Sequence, residues 1–271
     1  KAGNYDIESM PSAQYEAFKD LKNVTFLSSF APSYEYISFK LGTFDKSQGK
    51  NVTNPKAKMS DPALRQAIGY ALDIDSAGEN LYHGLNYGTN SIILPFFKDV
   101  YNKEQEGFTY NPEKAKQLLD EAGYKDVDGD GIREKNGRKL EIKWLTYPSR
   151  QELPLLAESA QATLKEIGIA VNINSTADHN SIITDMNAWD VYASANVNAS
   201  IGDPEYFFTS FCLDSSSKNK GHFHSDEIEE LAKKMAAEFD PAKRSELAIK
   251  MQQVILDDNA WVFCSFLKMS M

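Results

Sequence analysis

The sequence predicts an α/β (α+β) fold in which a mixed β-sheet is flanked by helices. Two observations lead to this prediction. Segments with helical periodicity alternate with short apolar or alternating segments along the 271 residues, and this order is typical of a sheet with helices packed on it. Three of the helical segments also begin with an Asp or Asn followed by Pro, which marks a helix start independently of periodicity.

These three helices begin at Pro62, Pro112 and Pro241. In each case the preceding Asp or Asn can accept a hydrogen bond from the first turn, and proline suits the first helical position. Gly123 ends the second helix, and the third extends through Leu256. Further helices are predicted after Ser12, over residues 76–82, over residues 149–166, and from Ser225 to about Phe239.

Strands are predicted from alternating or apolar runs at residues 5–7, 24–26, 33–41, 169–173, 190–193 and 261–267. Within residues 33–41, polar and apolar side chains alternate imperfectly, which predicts an amphipathic strand. Asn136 and Gly137 lie between two short strand-like runs and predict a tight hairpin. Residues 42–59 are rich in Lys, Asn, Gly and Ser and are predicted to form a loop.

The composition excludes several classes of function. A net charge of −10 argues against nucleic acid or an anionic membrane as the main partner, because phosphate contacts need clustered Lys and Arg. No apolar run approaches the roughly 20 residues that span a bilayer. The first residue is Lys1, so we expect the true beginning of the protein to be missing. Cys212 and Cys264 lack the paired spacing of a zinc or redox motif, which favours two buried thiols over a disulfide.

Three stretches of the sequence resemble one family. They are NPEKAKQLLDEAGYKDVDGDGIRE at 111–134, DPALRQAIGYALDID at 61–75 and LKEIGIAVNI at 164–173. Each is similar to a recurrent phrase of the extracellular solute-binding proteins of peptide and nickel ABC importers, solute-binding protein family 5. The resemblance extends over nearly the whole chain but over only part of the family's fold.

The resemblance implies a periplasmic-binding-protein-like lobe. In the family, the first of two lobes precedes a phrase similar to AGNYDI, which lies here at residues 2–7. We therefore expect residues 1–271 to form the second, carboxyl-terminal ligand-binding lobe, with residues 1–42 near the hinge and residues 43–271 as its main body. The family's location implies an extracellular protein, periplasmic or a cell-surface lipoprotein, that reaches the membrane only through a missing amino-terminal anchor. Its partners would be the permease and ATPase subunits of the importer.

The segment from Asn196 to Phe208 is the first candidate binding site. It leaves a predicted strand, passes through small and amide residues, and ends at an Asp-Pro pair followed by aromatic residues, so amides, backbone donors and rings can converge on a ligand. In a simpler interpretation, Asp203 is only a helix cap and the phenylalanines are only core. Peptide-binding family members often carry an Asp near the position of Ser200 that pairs with the peptide's ammonium group, and this sequence departs from that pattern. The candidate ligand-binding residues are Asn196, Asn198, Ser200, Asp203 and Tyr206.

A second candidate position is the loop that joins the hairpin strand to the next helix, where α/β proteins form ligand sites. It contains Tyr147 and Arg150. Arg150 can clamp the carboxylate of a peptide or a chelator. The alternative is an exposed loop charge with no binding role.

Two metal patterns are present, and both are incomplete. His222 and His224 would share one face of a strand and are candidate metal ligands, although two ligands are too few unless the metal arrives already chelated. Asp126, Asp128 and Asp130 copy the first half of an EF-hand loop, but Gly137 stands where the last ligand should be. A structural turn held by Asp side chains is therefore favoured there over a bound Ca²⁺.

The sequence favours a binding protein over an enzyme. It lacks a GxSxG elbow, an HExxH motif and a phosphate-binding loop, and nothing orients Cys212 toward His222 or His224 as a catalytic pair. The expected function is capture of a small solute between two lobes for delivery to an importer. Nickel in a small chelate is the first expectation for the solute, and a short oligopeptide is the alternative. A lobe for surface adhesion or signalling is a more remote alternative, and a thiol hydrolase is the last.

Overall fold

Strand β1, Ser28–Phe39, lies in the middle of the fold. In the computed structural model, it pairs antiparallel with β10, Trp261–Ser270, on one side and with β9, Val191–Val197, on the other. The structure describes residues 6–7, 14–80, 83, 86–89, 91–95, 97–104, 107–197, 203 and 205–270. Residues 34–39 of β1 are all buried. The prediction of an amphipathic strand is therefore wrong, because both faces of β1 are covered.

Three more strands belong to the large sheet. They are β4 (Asn86–Gly88), β7 (Glu141–Thr146) and β8 (Ala170–Ser175). β7 runs parallel to both β8 and β9, whereas β4 pairs antiparallel with β10. The strand order is β4-β10-β1-β9-β7-β8. This arrangement confirms the predicted mixed sheet, and the carboxyl ends of the three parallel strands meet at one edge of it.

Nine α-helices are described: α1 Tyr15–Phe18, α2 Pro62–Ala71, α3 Ile74–Asn80, α4 Pro112–Glu121, α5 Glu152–Glu166, α6 His179–Ile182, α7 Glu205–Phe207, α8 Asp226–Ala237 and α9 Pro241–Asp258. The three predicted Asp-Pro and Asn-Pro starts are confirmed. Asp61 accepts a hydrogen bond from the N–H of Ala63, Asn111 from Lys114, and Asp240 from Ala242 and Lys243. A single 3₁₀ turn, Lys58–Ser60, precedes α2, and a π-helix, Phe208–Cys212, continues α7. None of the described helices is both long enough and apolar enough to cross a membrane.

Two predictions near the start of the chain are wrong. Residues 24–26 are coil, and the first strand begins only at Ser28. The predicted loop at 42–59 contains a hairpin of β2, Gly42–Asp45, and β3, Lys50–Thr53. Its turn is held by Asp45, which accepts hydrogen bonds from the N–H groups of Ser47 and Gln48. Local polar composition does not show this pairing. Most of the predicted strand at 5–7, and the cap at Ser12, lie outside the described residues.

The hairpin predicted from Asn136 and Gly137 is confirmed. It joins β5, Glu134–Lys135, to β6, Arg138–Lys139. Both turn residues have positive φ, 54° and 70°, as a two-residue turn that follows the twist of the strands requires. The hairpin lies beside the acidic turn, so the two features form one continuous local unit.

The buried apolar side chains of the described residues form one cluster on the two sides of the large sheet. Its largest members include Trp144, Trp189, Tyr34 and Phe207, all fully buried. Cys212 and Cys264 are buried free thiols within it. Burial raises the pKa of both thiols, which disfavours the thiolate form that a nucleophile or a metal ligand needs.

One buried cation ties α2 to the end of α9. The Arg65 side chain is 5% exposed, and its Nε donates to the carbonyl oxygen of Asn259 at 3.0 Å. Its Nη1 donates to the Met59 carbonyl at 2.8 Å, and Nη2 to that of Asp258 at 2.7 Å. Removing the guanidinium would leave three carbonyl groups without this donor, which is costly where they are buried.

We predict that Arg65→Met lowers the free energy of unfolding by about 3 kcal/mol, because an apolar side chain of similar length cannot donate to these carbonyls. Urea denaturation measures the loss. The matched control is Lys116→Met, since Lys116 makes only a surface ion pair with Glu113 and should change stability by less than about 0.5 kcal/mol. Equal denaturation midpoints for the two variants would contradict the assigned role of Arg65.

Candidate functional site

The candidate site lies where β7 and β9 end. β7 ends at Thr146, so Tyr147 follows it directly, and Asn196 lies near the end of β9. The register places Asn196 opposite Tyr34 and Ser194 opposite Tyr36 on β1. Because side chains two residues apart on a strand share a face, Ser194 and Asn196 face the same side of the sheet.

Hydrogen bonds link these side chains into a tyrosine network. The hydroxyl oxygens of Tyr147 and Ser194 lie 3.3 Å apart, and the N–H of Ala195 donates to the Tyr147 hydroxyl at 3.2 Å. Nδ2 of Asn196 donates to the Tyr36 hydroxyl at 2.8 Å. Burial raises the pKa of Tyr36, more than its hydrogen bonds to Ser194 and Asn196 lower it. The phenol therefore stays neutral, and the network carries hydrogen-bonding groups without net charge.

His179 completes the site. It is the first residue of α6 and stacks on Tyr147, with ring centroids 4.2 Å apart, and on Tyr192 at 6.2 Å. Its Nδ1 is buried and has no hydrogen-bond partner within the part of the chain that the structure describes. Together, the tyrosine network and the His179 stack form the tyrosine site. Its members are Tyr36, Tyr147, His179, Tyr192, Ser194 and Asn196.

Asp203 has structural partners. One carboxylate oxygen accepts from the N–H of Glu205 at 2.9 Å, and the other accepts from Arg244 at 3.0 Å. Arg244 also pairs with Glu205 at 2.6 Å, so it ties the start of α7 to α9. Phe207 and Phe208 are fully buried. These contacts are those of the simpler interpretation, in which Asp203 is a cap and the phenylalanines are core.

The other predicted ligand-binding residues that the structure describes are not members of the tyrosine network. The hydroxyl of Tyr206 accepts from the Lys218 ammonium at 2.6 Å, and the same ammonium lies 5.0 Å from its ring centroid. Arg150 is exposed in the loop that follows Tyr147. Asn198 and Ser200 lie outside the described residues. Of the predicted residues, the structure brings Tyr147 and Asn196 into one network.

His222 and His224 lie at the other end of the sheet. The N–H of Leu41, just past the end of β1, donates to the carbonyl of Gly221 at 2.8 Å, whereas the strand residues of the tyrosine site extend from Asn196, opposite Tyr34, to Tyr192, opposite Ser38. Phe39 lies three residues, about 10 Å, beyond Tyr36 along β1. His222 and His224 are not among the six residues that form the tyrosine site.

The two histidines also have separate partners. His222 has a φ of 57° and is not on a strand, so the alternation that would give the pair a shared face does not apply. Its Nδ1 lies 2.9 Å from Oδ1 of Asn51, and Nδ1 of His224 lies 2.9 Å from Asp214. Burial lowers the pKa of His222, and nearby Lys220 lowers it further.

In the part of the chain that the structure describes, one group of four carboxylates can hold a metal ion. Asp126, Asp128, Asp130 and Glu134 each offer an oxygen within 4.8 Å of the others. The turn is also held by its own side chains, as expected, since Asp126 accepts from the N–H groups of Gly129 and Gly131. The Lys139 ammonium pairs with Asp128 and Asp130. Glu134 is the member that the sequence pattern alone did not identify.

The sheet topology and the polar groups where its parallel strands end are those of a ligand-binding lobe of the periplasmic-binding-protein type. The family described as "Bacterial extracellular solute-binding proteins, family 5 Middle" matches residues 1–219. The chain belongs to this family. The family resemblance of the three sequence phrases is therefore confirmed.

The oligopeptide-binding protein OppA of Lactococcus lactis subsp. cremoris (strain SK11) is 30% identical over 237 residues, 84% of this chain and 39% of that protein. The nickel-binding protein NikA of Staphylococcus aureus (strain NCTC 8325 / PS 47) is 27% identical over 199 residues, 73% of this chain and 37% of that protein. The structure of lactococcal OppA in complex with an endogenous peptide, in the closed conformation, superposes with a TM-score of 0.82 and 26% identity, and covers 96% of this chain and 50% of that one. The chain thus spans half or less of each relative's length.

Sequence reasoning missed four members of the tyrosine site: Tyr36, His179, Tyr192 and Ser194. Ser194 could have been predicted, because it lies two residues before the predicted Asn196 on the same strand and so shares its face. Tyr36 follows once β1 and β9 are known to pair, but pairing partners are not visible in a single sequence. For His179, no local signal was present.

We predict that Tyr147→Phe lowers the free energy of unfolding by about 1 kcal/mol, because the partly buried N–H of Ala195 loses its acceptor. Tyr110→Phe is the matched control, since Tyr110 is 42% exposed and its hydroxyl can exchange protein contacts for water. Urea denaturation of both variants measures the difference. If both lose equally little, the Tyr147 hydroxyl contributes nothing to the network.

Proposed function

We propose that this chain is the ligand-binding lobe of an extracellular solute receptor that serves an ABC importer. The solute is held between this lobe and a second lobe, which close on it by hinge motion, and it is then handed to the permease and ATPase subunits. Membership of the family supports this proposal, as do the polar groups at the carboxyl edge of the parallel strands, where α/β folds place ligands. In this proposal residues 1–271 act as one lobe, with residues 1–42 on the hinge side. The proposed location is the cell surface or the periplasm.

We infer that the solute is a short oligopeptide. The observation that carries this inference is the network of hydroxyl and amide groups in the tyrosine site. One N–H of the Asn196 amide donates to Tyr36, its carbonyl oxygen can accept a peptide N–H, and Arg150 is available for a carboxylate. The named similarity of the chain to oligopeptide-binding OppA supports the same inference.

A nickel chelate is the second candidate solute, and His179 favours it. The imidazole lies inside the tyrosine site, and its Nδ1 has no partner among the described residues. A neutral imidazole is a good ligand for a divalent metal that arrives with other ligands already bound. The relative named as nickel-binding NikA supports this candidate. In this version, His179 takes the place that the sequence had suggested for His222 and His224.

The proposal assigns no catalytic step. Burial of Cys212 raises its pKa, and its thiol is therefore a poor source of nucleophilic thiolate. His222 and His224 have their own partners in Asn51 and Asp214.

We predict that full-length protein shows a rise in Tm with short peptides, because a ligand that binds the folded state stabilises it by mass action. Asn196→Leu should weaken peptide binding about tenfold, since it removes an acceptor of peptide N–H groups. The matched control is Asn187→Leu, an exposed amide at the opposite end of β9. Calorimetric titration measures both. Peptide affinity unchanged by Asn196→Leu would contradict the site assignment.

We predict that His179→Ala decides between the two solutes. If the solute is a nickel chelate, this variant loses binding of a nickel–histidine complex and His222→Ala retains it, because only His179 lies in the site. If the solute is a peptide, both variants bind peptide and wild-type protein shows no heat with the nickel complex. Native mass spectrometry of full-length protein from its source gives an independent answer through the mass that co-purifies. Loss of nickel binding in His222→Ala alone would overturn the location of the site.

A further inference from the structure

A basin rich in cationic side chains lies where β7 begins, past the end of β1. Its volume is about 940 Å³, and it is bounded by the 3₁₀ turn, the β5–β6 hairpin and the start of β7. The cationic side chains that line it are Lys40, Lys56, Lys58, Lys135, Arg138, Lys139 and Lys143. Only two carboxylates, Asp61 and Asp190, line it with them. This balance is the reverse of that in the whole chain, which has a net charge of −10.

Both carboxylates of the basin are already paired. Asp190 binds the Lys58 ammonium at 2.8 Å and accepts from the N–H of Lys143 at 2.9 Å. Asp61 binds the Lys135 ammonium at 2.7 Å and also accepts from the Tyr124 hydroxyl at 3.0 Å. Neither carboxylate is therefore a spare counter-charge for the remaining cations.

The remaining cations have little local compensation. Lys139 pairs with the acidic turn outside the basin. Lys40, Lys56, Arg138 and Lys143 form no ion pair with any residue that the structure describes. The Lys143 ammonium donates to the carbonyl of Asn187 at 2.8 Å, which orients it without neutralising it.

Lys40 is the most constrained of the four. It follows β1, and its N–H donates to the carbonyl of Asp190 at 3.0 Å, so its backbone is fixed at the rim. Partial burial lowers the pKa of its ammonium group, and the neighbouring charges of Lys143 and Lys58 lower it further against the attraction of Asp190. A bound anion would favour the charged form of this lysine.

We propose that this basin binds a soluble anion that carries two or more phosphate groups. A monovalent anion would leave most of the charge uncompensated, whereas several phosphates can contact several ammonium groups at once. Lysines act as mobile point charges, which suits phosphate oxygens arranged along a short chain. The proposal goes beyond solute capture, because none of the six residues of the tyrosine site lines this basin.

The test is a calorimetric titration of full-length protein with tripolyphosphate at low and high NaCl. We expect binding that weakens as salt rises, because the ammonium groups are screened. Lys40→Gln with Lys143→Gln should raise the Kd about tenfold or more. Lys56→Gln with Arg138→Gln, at exposed positions, gives a second pair of variants should the first fail to fold, and it should also weaken binding.

The matched control is Lys116→Gln with Lys250→Gln, which removes the same charge from surface ion pairs with Glu113 and Glu227. We expect tripolyphosphate to bind this control as it binds the wild type, and we expect peptide binding to be unchanged in both basin variants. Absence of tripolyphosphate binding to the wild type would overturn the proposal. So would equal weakening in the control, or binding only to vesicles that contain phosphatidylglycerol. None of these results depends on whether the receptor proposal is correct.

Discussion

The two-sided pairing of β1 is the constraint on which the rest of the lobe depends. A strand bonded to neighbours on both edges and covered on both faces can satisfy its polar groups only within the protein. Glu35 and Ser38 show this, since Glu35 accepts from the hydroxyl of Ser265 at 2.6 Å and Ser38 donates to the carbonyl of Tyr192 at 3.4 Å. Because β9 and β10 both run antiparallel to β1, its direction decides which residues gather at each end of the sheet.

The two ends of the sheet differ in electrostatic character. Beside Tyr34 and Tyr36 lie buried phenols, a serine and an amide, and burial keeps the phenols neutral by raising their pKa. Beside Phe39 lies the cationic basin, with its lysines held apart by separate elements. A surface of uncharged hydroxyl groups that already hydrogen-bond to one another discriminates weakly between solute side chains. It binds a solute through directional hydrogen bonds. A cluster of mobile ammonium groups instead recognises charge and depends on salt. The two proposed binding chemistries therefore use different residues of one sheet.

Local signals in the sequence predicted what is determined locally. Asp61, Asn111 and Asp240 cap helices because cap and proline act within one turn, and Asn136 with Gly137 adopts the positive φ that its hairpin needs. The β2–β3 hairpin was missed because its strands are polar and pair only with each other, outside the main sheet. The prediction for β1 was wrong because residues distant in the chain cover it, as in the contacts of Tyr34 with Phe207 and of Tyr36 with Phe211. His222 was misplaced on a strand because spacing alone does not report its left-handed backbone.

The tyrosine site also limits how a ligand can bind. Its hydroxyl groups already hydrogen-bond to one another, so a ligand gains little by breaking these bonds. It must instead use the donors and acceptors that remain without a partner. The side chain of Asn196 illustrates this, because one of its two N–H groups donates to Tyr36 and the other N–H and the carbonyl oxygen remain. A peptide backbone, which offers both N–H donors and carbonyl acceptors, fits that remaining capacity. The charges of a zwitterionic peptide then need partners other than the buried phenols. Arg150, exposed in the loop after Tyr147, is the proposed partner of the carboxylate, and the proposal requires a carboxylate outside this network for the ammonium group.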